Sequence, residues 1–252
     1  MKLLWCRTTT KVLGDRHTHN EDIYLPKTKM DVPRFVMCDG ATSSYAARMW
    51  AEILAAQYMI SGEMSDRDRV YTAAKQYETK YPISLLAGMN HSEIEAFKRG
   101  SSTTLLLLEQ DVANPSLVHV TTVGDTCVFV LDHDGHVIRS FPFECAEQFS
   151  TSAYLVTVTF DGLRQLFDEL TMDFYWKKTD LDLTEMGNVF LLCATDAVSQ
   201  WIMSKRERPD EIRRFLKAVT SRKRNKFVHF IEHERRLRTM PTDDSTVVII
   251  GL

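Results

Sequence analysis

The residues of this 252-residue chain best placed to do chemistry are aspartates, because of where they fall. Asp39 closes the apolar run Val36-Met37-Cys38, Asp125 follows Val123-Gly124, Asp196 follows Leu192-Cys193-Ala194-Thr195, and Asp243 precedes the run from Ser245 to Ile250. Each sits where an apolar strand meets a turn. Taken singly, an Asp in that place is more often a turn former or a helix cap than a ligand. Four of them on neighbouring strands would converge on one edge, where their mutual repulsion calls for cations between them. Hard oxygen donors, with no histidine or thiolate at ligand spacing, select Mg²⁺ or Mn²⁺ over Zn²⁺. Glu21 and Asp22, in a polar segment upstream, are placed to hold metal-bound waters.

The elements that must position these groups alternate between strands and helices. Arg34 to Cys38 reads as a buried strand that halts at Asp39-Gly40. A helix follows at once, capped by Thr42, Ser43 or Ser44, with an apolar face through Ala46, Trp50, Ile53, Leu54 and Tyr58. Helices over Arg67 to Lys80 and Ser92 to Lys98 lead through Gly100 to a leucine-rich strand, Thr103 to Leu108. The β-branched runs Leu117 to Val123 and Thr126 to Leu131 bracket Gly124-Asp125, and Asp134-Gly135 supplies a turn before His136 to Phe141. Together these predict an antiparallel meander. A strand over Ala153 to Phe160, a helix over Leu163 to Leu170, a strand over Asn188 to Ala194 and a helix from Ala197 to Met203 come next. Helices from Asp210 and from Lys226 and a last strand, Ser245 to Ile250, complete the pattern. Strands grouped in the middle and at the end, with helices between, predict an α+β sandwich of antiparallel sheets covered by helices.

With 44% hydrophobic residues and no repeat, low-complexity tract or linker, residues 1–252 are expected to form one domain. A net charge of −3 gives no reason to expect nucleic acid or an anionic membrane as partner. The apolar stretch in Met1 to Thr10 is too short for a signal peptide, and no run approaches the roughly 18 to 20 apolar residues of a membrane span. The five cysteines lack CxxC spacing, and Cys38, Cys127 and Cys193 lie in apolar runs where a thiol packs as a small hydrophobe. A cytoplasmic protein with free thiols is expected.

Six short segments, in order, resemble the protein phosphatase 2C family across nearly the whole chain. His19-Asn20-Glu21-Asp22 is similar to its NED element, Met37-Cys38-Asp39-Gly40 to its first DG, and Gly100-Ser101-Ser102-Thr103 to its GST entry. Val123-Gly124-Asp125-Thr126 resembles its VGDS turn, Leu191 to Asp196 its LLCSDG strand, and Asp243 to Val248 its closing DNxTVV. The resemblance implies a four-layer α/β/β/α sandwich and a serine/threonine phosphoprotein phosphatase dependent on two Mg²⁺ or Mn²⁺ ions, with a possible third. Asp39 would bridge both ions, the Gly40 carbonyl and a water on Glu21 would complete one, Asp196 and Asp243 would hold the other, and Asp125 would belong to a looser third site. Water bridging the ions would attack phosphorus in line, without a phosphoenzyme. The expected partner is a phosphorylated protein.

The chain departs from the family pattern in places. The family's phosphate-binding arginine position is His17 here, with Arg16 beside it; either can bind the phosphate, with Arg16 favoured as the bidentate clamp and His17 read as the acid that protonates the leaving group or as an exposed loop histidine. Ala41 stands where many relatives have histidine, Ala197 where they have glycine, and Asp244 where they have asparagine. The last two are expected to alter metal affinity. Between Phe143 and Gly187 the family's flap is hard to recognise, and Phe174-Tyr175-Trp176-Lys177-Lys178 reads as a docking lip or as core. A basic stretch from Lys205 to Arg238 reads as helix faces or as a surface for a phosphorylated partner. Two other readings stand beside the enzyme: a catalytically weak module that binds a phosphoprotein or regulates a partner, and a hydrolase of small phosphoesters.

Overall fold

The computed structural model describes residues 1–11, 20–27, 32–42, 44–60, 64–150, 154–159 and 175–251. The expected helix from Leu163 to Leu170, Arg16, His17, His19, Ser43 and Phe174 lie outside them.

Two five-stranded antiparallel sheets form the centre. The first runs in the order β1 (Lys2–Thr9), β12 (Ser245–Gly251), β11 (Val189–Ala194), β7 (Cys127–Asp132), β8 (Val137–Phe141). The second runs β10 (Lys177–Asp182), β6 (Leu117–Val123), β5 (Leu105–Gln110), β3 (Arg34–Asp39), β2 (Asp22–Lys27). A short pair, β4 (Ser101–Thr103) with β9 (Val156–Val158), stands apart. Helices α1 (Ala47–Tyr58) and α2 (Asp66–Lys80) cover the second sheet, and α3 (His91–Arg99) leads into β4. Helices α4 (Asp196–Ser204), α5 (Pro209–Val219) and α6 (Asn225–Arg236) cover the first.

The period-2 alternation of strands explains the layers. Phe35, Met37, Leu106, Leu108, Val118 and Val120 of one sheet meet Val128, Val130, Leu191, Cys193, Val248 and Ile250 of the other between the sheets. Their neighbours point outward under the helices: Val36, Cys38, Leu105 and Leu107 on one side, and Phe129, Leu131, Leu192 and Val247 on the other. A strand buried on both faces must be apolar at every position, which is why β3, β5, β7, β11 and β12 stand out in the sequence. The expected four-layer α/β/β/α sandwich is the observed one.

Three expectations need correction. β6 and β7 are not hairpin neighbours, because β6 lies in the second sheet and β7 in the first. The chain changes sheet at Gly124-Asp125, where Gly124 has φ +99° and a Cβ would fall 2.7 Å from Thr104 Cγ2, so only glycine fits. A Gly-Asp pair between β-branched runs signals a hairpin and a sheet crossing alike. Only β7 and β8 form the predicted hairpin, closed by the Gly135 N–H donating to the Asp132 carbonyl at 3.3 Å. Second, neither Thr42 nor Ser44 caps α1: its N-cap is Ala46, with φ 51° and no side-chain cap. Ser44 instead joins the loop to β4, accepting the Ser102 N–H at 3.2 Å and donating to the Ala41 carbonyl at 2.6 Å. Third, β1, β2 and β10 were not foreseen; they are sheet edges with mixed composition, and β2 contains Pro26, which an edge tolerates.

Candidate functional site

The site is assembled at the ends of strands from both sheets. Asp39 is the last residue of β3, and Asp22 the first of β2, and the two face each other in the antiparallel register. Asp196 opens α4 just after β11, Asp243 lies in the approach to β12, and Asp125 sits at the crossing between sheets. The second sheet thus contributes Asp22 and Asp39, and the first contributes Asp196 and Asp243.

Threonines fix the geometry. The Asp39 N–H donates to Thr104 Oγ1 at 2.9 Å, and its carbonyl accepts from Thr103 Oγ1 and the Thr104 N–H, both at 2.9 Å. Thr104 Oγ1 in turn lies 2.6 Å from Thr126 Oγ1, joining the GST-like segment to the VGD-like one. Thr195 Oγ1 donates to Asp22 Oδ2 at 3.2 Å and accepts the Thr246 N–H at 3.0 Å, so it ties β2 to the first sheet. Asn20 shows why the NED-like segment begins with an amide. It donates to Thr8 Oγ1 at 2.7 Å and to the Thr9 carbonyl at 3.2 Å, while its Oδ1 accepts the Asp22 N–H at 2.7 Å.

The electrostatics report crowding of like charge. Burial raises the Asp39 carboxyl well above the usual carboxylate range, and the charges of Asp22, Asp196, Asp125 and Asp243 push it further. Asp196 is raised to about 8 by burial, then by Asp125, Asp243 and Asp22. Asp22 is raised to about 7, again by burial first, against hydrogen bonds from Thr246, Asp39 and Thr195. Burial raises Asp125 too, with Asp243 adding to it. Glu21 is raised by burial, opposed by a Thr42 hydrogen bond and by Lys11, whose Nζ stands 3.8 Å from Glu21 Oε2. Asp22 Oδ1 and Glu21 Oε2 are buried acceptors with no hydrogen-bond partner among the described residues. An all-oxygen donor set with unsatisfied buried lone pairs suits a hard dication. Among the described residues, no three His, Cys, Asp or Glu side chains form a group able to hold a metal. The carboxylates are gathered within electrostatic reach of one another.

Two departures from the family pattern have plain structural outcomes. Ala197 is helical and fully buried in α4, and its N–H donates to Asp196 Oδ1 at 2.5 Å; its φ is not positive, so alanine brings no strain. Asp244 is buried and employed: its Oδ1 accepts the Lys11 N–H at 2.8 Å and its Oδ2 the Glu21 N–H at 2.7 Å. Gly40 donates its N–H to the Glu21 carbonyl at 3.3 Å and bridges Thr103.

Several residues at this site escaped the sequence reading. Lys11 is the cation beside Glu21, also donating to Thr42 Oγ1 at 3.0 Å. Arg235, buried on α6, donates to the carbonyls of Thr10, at 3.0 Å, and of Asp243, and to Ser245 Oγ at 3.1 Å, clamping the segment that carries Asp243. A lone Arg in a helix rich in basic residues gave no signal of that role.

No family model matches the chain, and no curated protein matches it. Among solved structures, serine/threonine phosphatase Stp1 from Staphylococcus aureus superposes over 100% of this chain and 97% of its own, with TM-score 0.55 and 14% identity. The serine/threonine phosphatase of S. agalactiae covers 98% of both chains, with TM-score 0.54 and 14% identity. The fold is that of the protein phosphatase 2C type. PppA of Pseudomonas aeruginosa, described as a key regulatory component of T6SS, matches the same protein phosphatase 2C fold over 98% of both chains, with TM-score 0.53 and 16% identity. Among the described residues no helix is long and apolar enough to cross a membrane.

Proposed function

We propose that this chain is a single-domain, cytoplasmic, metal-dependent serine/threonine phosphoprotein phosphatase. The observation that carries the reading is the set of carboxylates from two sheets that raise one another's proton affinity at one end of the sandwich. Asp39, Asp196, Asp243 and the Gly40 carbonyl would hold two Mg²⁺ or Mn²⁺ ions, Glu21 and Asp22 their bound waters, and Asp125 a third ion. When bound, the ions supply a nucleophilic water at neutral pH and neutralise phosphoryl charge. The chain's own part is positioning. Thr104 and Thr103 fix Asp39, Thr195 fixes Asp22, and Arg235 fixes the Asp243 segment. Lys11 supplies positive charge beside Glu21, toward which an anionic substrate is drawn. Arg16 and His17 are proposed to bind phosphate and to protonate the leaving alkoxide.

The test is phosphate release from a phosphothreonine peptide with Mn²⁺. Wild type should turn over, and Asp39→Asn and Asp196→Asn should each lose more than ~100-fold. Equal turnover by either variant would sink the mechanism. Turnover of small phosphomonoesters in preference to peptides would move the substrate class instead.

The likeness in fold to PppA, described as a key regulatory component, favours a second reading, a phosphatase-like module that binds a partner with little turnover. Calorimetric titration with Mn²⁺ separates the two: tight binding with turnover supports the enzyme, and neither supports the module.

A further inference from the structure

Away from the carboxylates, the sandwich has a second opening. β1 is an edge of the first sheet and β2 an edge of the second, and beside the start of α6 they border a cavity of about 270 Å³. Cys6 and Arg7 of β1, Tyr24 of β2, and Arg224, Asn225 and Phe227 at the head of α6 line it, and among the described residues no carboxylate does. Among those residues the two guanidiniums are therefore the only full charges on its wall.

The hydrogen bonding of Arg7 is incomplete. Arg7 donates from Nη1 to the Cys6 carbonyl at 2.7 Å and from Nη2 to the Ser221 carbonyl at 2.5 Å, yet its buried Nε has no partner among the described residues. A buried, unpaired donor on a cation is costly unless something accepts from it. The twelve-residue α6 adds positive potential, since it has no side-chain cap and no acidic residue in its first turn. Exposed Arg222, Lys223 and Lys226 adjoin Arg224 and Asn225 in the sequence.

The rest of the wall suits an apolar body. The Tyr24 ring gives it a flat surface. Tyr24 and Cys6 hydrogen-bond to each other and stay neutral: Tyr24 is pushed up to about 12 by that bond and by burial, and burial raises the Cys6 thiol. A volume just under the roughly 300–1,000 Å³ of drug-sized pockets admits a phosphate with one or two rings and excludes a polymer.

We propose that this cavity binds a small organic phosphate monoester, with its phosphoryl group on Arg7 and Arg224 and its ring against Tyr24. The elements that line it are also those that hold the carboxylates. β2 begins at Asp22, the segment after β1 reaches Asp244 through Lys11, and α6 carries Arg235.

The test uses the full chain with EDTA, so that phosphate cannot be held through metal at the carboxylates. AMP and phenyl phosphate are titrated calorimetrically, with adenosine and inorganic phosphate as controls, and Cys6 alkylation is followed by mass spectrometry. At least one of the two esters should bind saturably, more than tenfold tighter than either control, and slow Cys6 alkylation several-fold. Arg224→Glu, at an exposed position, should weaken that binding at least tenfold with unchanged melting temperature, and Asp39→Asn should leave it unaltered. Absence of binding by both esters, equal affinity in Arg224→Glu, unprotected Cys6, or loss of binding in Asp39→Asn would each overturn the assignment.

Discussion

Asp22 stands directly across from Asp39 in the β2–β3 pair. Like charges facing each other across antiparallel strands repel, and here both are also withdrawn from water. The pairing destabilises the fold that contains it, and the carboxylates around it add to the effect.

Removing one of those charges should therefore strengthen the metal-free protein. Asp39→Asn keeps the shape and deletes the repulsion, so the melting temperature in EDTA should rise by about 2–4 °C for each 1 kcal/mol relieved. Calorimetric melting of both proteins checks it, and the same variant should be inactive with Mn²⁺. A fall in melting temperature would show that Asp39 is a net stabiliser.

Stability should also depend on pH in a defined direction. Asp22 titrates at about 7 and Asp196 at about 8 in the folded chain, whereas an unfolded aspartate titrates near ~3.9. Between those limits the folded state binds more protons than the unfolded one, so unfolding becomes easier as pH rises from about 4 to about 8. In EDTA, the melting temperature should be higher at pH 6 than at pH 8.5. Mn²⁺ should stabilise more strongly at the higher pH, because protons then no longer compete for the carboxylates.

Asp244→Ala leaves two N–H groups, of Lys11 and Glu21, without their acceptor. Bonds to a charged group are worth about 1.5–3 kcal/mol each, so for the two together urea unfolding should register a loss of about 3–6 kcal/mol. Asp244→Asn retains one acceptor oxygen and should lose roughly half as much.

Gly124→Ala forces a side chain onto Thr104 at φ +99°. The cost should reach about 2 kcal/mol or more, and because Thr104 supports Asp39, Mn²⁺ affinity should fall with it. Denaturant melts and metal titration on one preparation read both. Loss of stability with unchanged affinity would uncouple the crossing from the site.

The strands buried on two faces were legible, because burial on both sides leaves an apolar run such as Val36-Met37-Cys38 or Leu105 to Leu108 that no helix period explains. So were the acidic positions, since each closes or precedes such a run. Three edge strands, β1, β2 and β10, were not: Asp22 to Lys27 is only partly buried and is interrupted by Pro26, so its pattern is diluted. Nor was the sheet change at Gly124, because local turn chemistry does not say which strand receives the chain. The supports of the site were the least visible. Thr195 and Asp244 act on residues 173 and 223 or more positions away, and Arg235 ties its near neighbours Asp243 and Ser245 to Thr10, 225 positions away; such pairings exist only once the registers are set.

The division of the acidic residues between the two sheets has a mechanical consequence. Anything that joins Asp39 to Asp196 must span the seam of the sandwich, so its grip works as a rivet between the halves. Hydrogen exchange at Met37, Leu106, Val130 and Leu191, which meet across that seam, should slow when the rivet is in place and quicken when a chelator withdraws it.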